Sequence, residues 1–194
     1  MGKFSQEEIV LSTEQSFPFW LAEGYFHKGF AALLAQVGTE GLESLQTGRT
    51  IFNMTGANLS LCQFQAQIAL ALSLTGDAAA ALEKIDEALA TSAINGNVFN
   101  LSEIHRLREE ILLTHSRDNG TEAEACFNKS LEVARAQRAK SSKLRTLISL
   151  HRLHTQQGRK SESHSALENV YQWFQEGHDL PDLTEAKQLL EHAN

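Results

Sequence analysis

The side chains with the widest chemical reach in this sequence are its eight histidines. His151 and His154 are three apart, so on a helix they share a face. His164 falls on the next helix of the same pair. Three neutral imidazoles can hold zinc and leave one position open for water or substrate. That constellation would make a metal-dependent enzyme, but a fourth ligand is missing and no His-Glu-x-x-His spacing occurs. His105 and His115 lie ten apart with no third partner. Cys62 and Cys126 are 64 residues apart, each inside helical patterning, and read as reduced core thiols. Glu7-Glu8 and Glu109-Glu110 are adjacent on helices and point different ways, as solvated faces do. No Gly-x-x-x-x-Gly-Lys-Ser/Thr, Gly-x-Gly-x-x-Gly after a strand, or Gly-x-Ser-x-Gly is present. The expectation is therefore no cofactor, no metal and no catalysis, with a His151–His154–His164 metalloenzyme as the last alternative.

The elements that position these residues follow from composition. The 194-residue chain has two prolines, Pro18 and Pro181, and none between them. Long helices are permitted there, because nothing removes a backbone donor. Hydrophobic residues make up 42% and charged residues 21%, enough apolar content for a folded core. Acids outnumber bases 24 to 17, for a net charge of −7. That argues against a generic nucleic-acid binder or an adhesin for anionic membranes. No run of 18 apolar residues exists, and Met1–Glu8 lacks the basic and apolar regions of a leader. A cytoplasmic location is expected.

Glycine punctuates the chain. Gly38, Gly56, Gly76, Gly96, Gly120, Gly158 and Gly177 are separated by 18, 20, 20, 24, 38 and 19 residues, with one mark missing near Arg138. Each interval accommodates a helix of about 14–17 residues and a turn. Ala78, Ala81, Leu82, Ile85, Ala88 and Leu89 follow i, i+3, i+4, i+7 spacing, and Ala123, Cys126, Phe127, Leu131 and Ala134 repeat it. Ser5…Glu8, Asn100…Glu103, Thr121…Glu124 and Asp182…Glu185 have capping-box form, and Asp77 can cap directly. Phe17, Phe19 and Trp20 read as an apolar staple under the first helix pair.

Short turns force consecutive helices into hairpins, and the hairpins repeat. Four segments share one template: Gly41, Leu45, Gly48; Ala81, Ile85, Ala88; Ala123, Phe127, Ser130; and Ser163, Leu167, Val170. It reads small, large apolar four on, then usually small three further. Its last positions are 40, 42 and 40 residues apart. A helix-turn-helix period of this length predicts an all-α solenoid. The expected layout is one domain over 1–194, with a lone helix at 5–15, hairpins at 16–56, 57–96, 97–138 and 139–177, and a capping helix at 181–193.

The template resembles the second helix of the tetratricopeptide repeat. Tyr25 with Gly29, and Gln65 with Ala69, sit where that repeat places an aromatic and a small residue in its first helix. In the third hairpin Glu109 or Ile111 replaces the small residue, and in the fourth His151 does. Phe17–Ala22, Glu103–Leu107, Ala123–Phe127, Tyr171–Gly177 and Asp182–Leu190 are similar to the C-terminal repeat region of bacterial regulators that join a class III nucleotide cyclase to an ATPase. The resemblance implies a protein-interaction module, or the regulatory part of such a signalling protein. It also implies that the first helices line a concave groove. Phe26, Phe30, Ala66 and Leu70 would form its apolar end, and Arg106, Glu110, Arg145, Ile148 and Arg152 its net basic end. A peptide or protein with apolar anchors and an acidic segment would suit it. An asparagine-based chaperone-tail clamp is not expected, because Phe30, Leu70 and Arg152 hold those positions. The first helix, without a partner in its own hairpin, suggests a fragment of something longer, a cap, or self-association into a homo-oligomer.

Overall fold

A computed structural model describes residues 2–115 and 120–191, without the side chains of residues 115 and 120–122. The described residues form ten α-helices and no strand. They are α1 Gly2–Glu14, α2 Pro18–Leu34, α3 Gly38–Met54, α4 Leu61–Leu74, α5 Ala78–Asn95, α6 Leu101–His115, α7 Gly120–Ala136, α8 Lys140–Gln156, α9 Ser161–Tyr171 and α10 Pro181–Glu191. None is long and apolar enough to cross a membrane. Pro18 and Pro181 each open a helix, where a missing N–H costs nothing.

The repeat template explains the pairing of these helices. All twelve template positions are buried. Leu45, Ile85, Phe127 and Leu167 are fully enclosed, each contributing about 1.5–3 kcal/mol of apolar burial. The small positions are small because backbone approaches them. A Cβ on Gly48 would lie 2.9 Å from the Ala22 carbonyl oxygen and 3.0 Å from both Tyr25 Cβ and Phe64 Cε1. A Cβ on Gly29 would meet Leu45 Cγ at 2.6 Å. Ala69, Glu109 and His151 take the corresponding first-helix positions and are likewise enclosed. Glu109, read from the sequence as part of a solvated face, is instead buried at the hairpin interior, close enough to Cys126 on α7 to raise its thiol.

Turns follow the glycine series in part: Gly38 and Gly120 instead open α3 and α7, and Gln36, at φ 60°, takes the turn before Gly38. Gly56, Gly76, Gly96, Gly158 and Gly177 have positive φ, and so do Ser16, Gln36 and Arg138. Arg138, at φ 55°, fills the place where the series skips a mark. Asp77 caps α5 by accepting a 3.1 Å hydrogen bond from Ala80 N–H. The other caps differ from expectation. Ser5 lies inside α1 and its hydroxyl donates to Gly2 O. The Asn100 amide donates to Gln63 Oε1. Asp182 and Glu185 lie beyond Pro181 and turn to arginines of α8. Long-range charge pairing has claimed these side chains. The Thr121 side chain lies outside the described residues. Phe17 and Trp20 are about half exposed, and only Phe19 packs inward, 5.7 Å from the Phe52 ring centroid.

Contacts divide the chain into two compact units, Met1–Asn100 and Leu101–Asn194. In the first, α1 packs on α2, α2 pairs with α3, α3 meets α4, and α4 pairs with α5. In the second, α6 pairs with α7, α7 meets α8, α8 pairs with α9, and α10 closes against α8 and α9. The first helices of consecutive hairpins touch, α2 with α4 and α6 with α8. Among the described residues the backbones of the second helices, α3 and α5 or α7 and α9, stand farther apart, and side chains bridge them, Arg49 to Glu87 at 3.5 Å in the first unit. Each unit therefore narrows on its first-helix side, which is the inner face of a helical-repeat stack.

Candidate binding faces

The first-helix face of the N-terminal unit is apolar and mostly closed. Phe26 is 4% exposed and meets Phe64 edge-on at 4.8 Å between centroids. Ala66 is buried as well. Phe30 stacks beside Phe26 at 6.5 Å with the rings nearly parallel, and it keeps part of its surface open. Leu70 is also half-buried, against the same core. Of the four residues expected here, Phe30 and Leu70 present surface, whereas Phe26 and Ala66 hold the helices together.

In the C-terminal unit the inner face is an ion network built from α6, α8 and α10. Arg106 sits at its centre. Its Nη2 and Nε donate to Glu103 at 2.6 and 3.0 Å, and its Nη1 to Glu110 Oε1 at 2.5 Å. Ser149 Oγ on α8 donates to the same Glu110 oxygen at 2.8 Å. Arg145 lies 3.6 Å from Glu103 and 3.3 Å from Asp182, and Arg152 pairs with Glu185. Burial opposes the Arg106 charge, but Glu103 and Glu110 overcome it and hold the guanidinium above its usual range. Burial opposes the Glu103 charge too, and Arg106 with Arg145 keeps that carboxyl below the ordinary carboxylate range. Burial pushes Glu185 up, with Asp182 and Glu110 adding to it and Arg152 opposing.

Three arginines thus face four carboxylates, and the basic groove end expected from the sequence is compensated. The acids on α6 stand at i−3 and i+4 from Arg106 and were open to sequence inspection. Asp182 and Glu185 come from α10 and reach α8 only through packing. Ile148 is buried in the core. Arg152 is half-exposed and stands between two hollows, of about 690 and 700 Å³. Glu110, Thr114 and Gln156 line the first, and Thr184, Glu185 and Gln188 the second.

The histidines separate. His151 and His164 rings are 5.9 Å apart, but His151 Nδ1 is engaged with Ser163 Oγ at 2.9 Å. His154 instead turns Nε2 toward Glu124, at 3.5 Å. Among the described residues, the group whose ligand atoms lie within metal-binding range is Glu124, His154 and Glu162, all within 4.8 Å of one another. Arg159 spans it, donating to Glu124 at 2.8 and 3.2 Å and to Glu162 at 2.8 and 2.6 Å. A guanidinium holds these carboxylates where a cation would. The His115 side chain, the second of the more distant pair, lies outside the described residues. Cys126 is pushed up to about 11 by burial and by Glu109, which makes it a poor nucleophile or ligand.

No protein-family model matches the chain, and no curated protein matches it.

Proposed function

We propose that the chain is a non-enzymatic protein-interaction module of the tetratricopeptide type. The observation that carries this reading is the close backbone approach of first helices, α2 with α4 and α6 with α8, while the second helices stand farther apart. It sets a continuous inner face in each unit, bearing Phe30 and Leu70 in one and Arg106, Glu110, Arg145 and Arg152 in the other. The template Gly41–Leu45–Gly48 and its three successors supports the family assignment within the helical repeats. A partner would insert an apolar side chain beside Phe30 and Leu70, or an acidic side chain at Arg152. Arg152 is the most accessible of the face's cations and can exchange Glu185 for a partner carboxylate. The likeness to the C-terminal region of cyclase–ATPase regulators supports a regulatory placement of the module in bacterial signalling.

Capture of the native partner on the immobilised full chain tests the proposal. Arg145→Glu with Arg152→Glu, and separately Phe30→Asp, should each lower capture while circular dichroism stays unchanged. Undiminished capture by both variants would remove the inner faces as the site.

A further inference from the structure

The compensation of Arg106, Arg145 and Arg152 leaves a question of where free positive charge resides. Lys129, Arg159 and Lys187 are also paired, with Glu132, with Glu124 and Glu162, and with Glu191. Among the described residues of the C-terminal unit, Arg135, Arg138, Lys140 and Lys143 enter no ion pair. They fall within nine residues of sequence, across the end of α7 and the start of α8. Together with Ala134 and Ala139 they line one hollow of about 260 Å³.

Their proximity has an electrostatic signature. Burial lowers the Lys143 ammonium, and Arg135 and Lys140 lower it further. Like charges held together with little counter-charge raise the local potential, which a bound anion relieves. Glu132 is engaged by Lys129 at 2.8 Å and offers Arg135 only a longer-range attraction. Lys140, which lines the hollow, places its Nζ 5.3 Å above the ring of Trp173, whose surface is 55% exposed. The patch is also separate from the inner face. Lys143 and Arg145 are two positions apart on α8, roughly 200° around the helix at 3.6 residues per turn.

From this we infer that the α7–α8 turn binds a short acidic peptide segment of a protein partner, with Arg135, Arg138, Lys140 and Lys143 taking its carboxylates and Trp173 its flanking apolar side chain. Charge selects the occupant. The N-terminal unit carries 4 basic and 10 acidic residues, a net of −6, and the C-terminal unit 13 and 14, a net of −1. A long polyanion such as nucleic acid, or an anionic membrane, would be repelled by the net charge of the whole chain, −7. A short segment would not. The surface does not depend on the inner-face reading.

The test uses the full chain and a fluorescein-labelled glutamate-rich peptide carrying two leucines, read by anisotropy. The same peptide with glutamine for glutamate is the control, and a short single-stranded DNA the competitor. The acidic peptide should bind at about 50 mM salt and weaken severalfold at about 300 mM, while the glutamine peptide stays unbound. Arg138→Glu with Lys143→Glu should lose roughly tenfold or more in affinity. Arg138→Gln with Lys140→Gln, which keeps the Lys143 stem, should lose less but measurably. Lys3→Glu with Lys28→Glu, an equal charge change on the N-terminal unit, should change it less than about twofold. The inference is overturned if the acidic peptide does not bind, if the glutamine peptide binds equally, if the turn variants bind as the parent does, or if DNA binds more tightly.

Discussion

His151 on α8 and Ser163 on α9 are joined by a 2.9 Å hydrogen bond between Nδ1 and Oγ, and neither side chain reaches solvent. This pair occupies the place that the first hairpin fills with Gly29 and Gly41, where a Cβ on Gly29 would come within 3.0 Å of the Gly41 carbonyl oxygen. A polar ring thus replaces close backbone contact. Burial, with His164, Lys160 and His154 nearby, lowers the His151 titration.

That shift predicts a pH dependence. The folded state disfavours the imidazolium, while the unfolded side chain titrates near 6.5. The unfolded state therefore binds more protons just below that value, and stability rises with pH there. The full contribution is present above about 6.5 and is lost as pH falls through the lowered folded value, at no more than about 1.4 kcal/mol per pH unit. His105, lowered by burial and by Lys129 and Arg108, acts in the same direction. Urea midpoints measured from pH 5 to 7.5 should rise, and His151→Gln should flatten the slope. An equal slope in the variant would assign the dependence elsewhere.

Gly48 makes a steric prediction. Gly48→Val places a Cβ against the Ala22 carbonyl and Tyr25 Cβ, neither of which is a flexible side-chain end. The α2–α3 pair should separate slightly, at about 1–3 kcal/mol. Gly2→Ala, with nothing within 4 Å of its Cβ, should be neutral. Denaturant unfolding of the two variants separates these outcomes.

Phe26 and Phe30 should dissociate stability from binding. Phe26→Ala removes a ring enclosed by Phe64 and the α2–α4 core and should cost about 3–5 kcal/mol. Phe30→Ala, on a half-open ring, should cost less than about half of that and should lower partner capture. Thermal melts alongside capture read both. Equal destabilisation by the two variants would make Phe30 a core residue.

Arg106 should be a stability residue despite its place on the inner face. Arg106→Ala leaves Glu103 and Glu110 without their main cation and should cost about 2–3 kcal/mol, somewhat below a fully buried pair because both acids keep some solvent. Adding Glu110→Ala should restore part of that loss. A melting temperature unchanged by Arg106→Ala would show that water compensates the two acids.

Some of these features were legible in the chain alone. A proline-free span, glycine punctuation and the small–large–small template are local properties of helices and turns, and they specify hairpins whatever the neighbours are. The structure accordingly buries every template residue and puts Arg138 in a left-handed turn where the glycine series lapses. Asp77 caps α5 because a cap is decided within three residues.

The rest depended on residues far apart in sequence. Asp182 and Glu185 read as a capping box until α10 packs on α8 and offers them Arg145 and Arg152. His154 was grouped with His151 and His164, but the packing of α7 beside α8 gives it Glu124. Phe26 and Phe30 have the same residue type and helical spacing, and only the position of Phe64 on α4 makes one of them core. Helix periodicity is settled by backbone hydrogen bonds between residues four apart, so sequence suffices for it. Burial and charge compensation are settled by which helices meet, so only the tertiary structure decides which cations remain free.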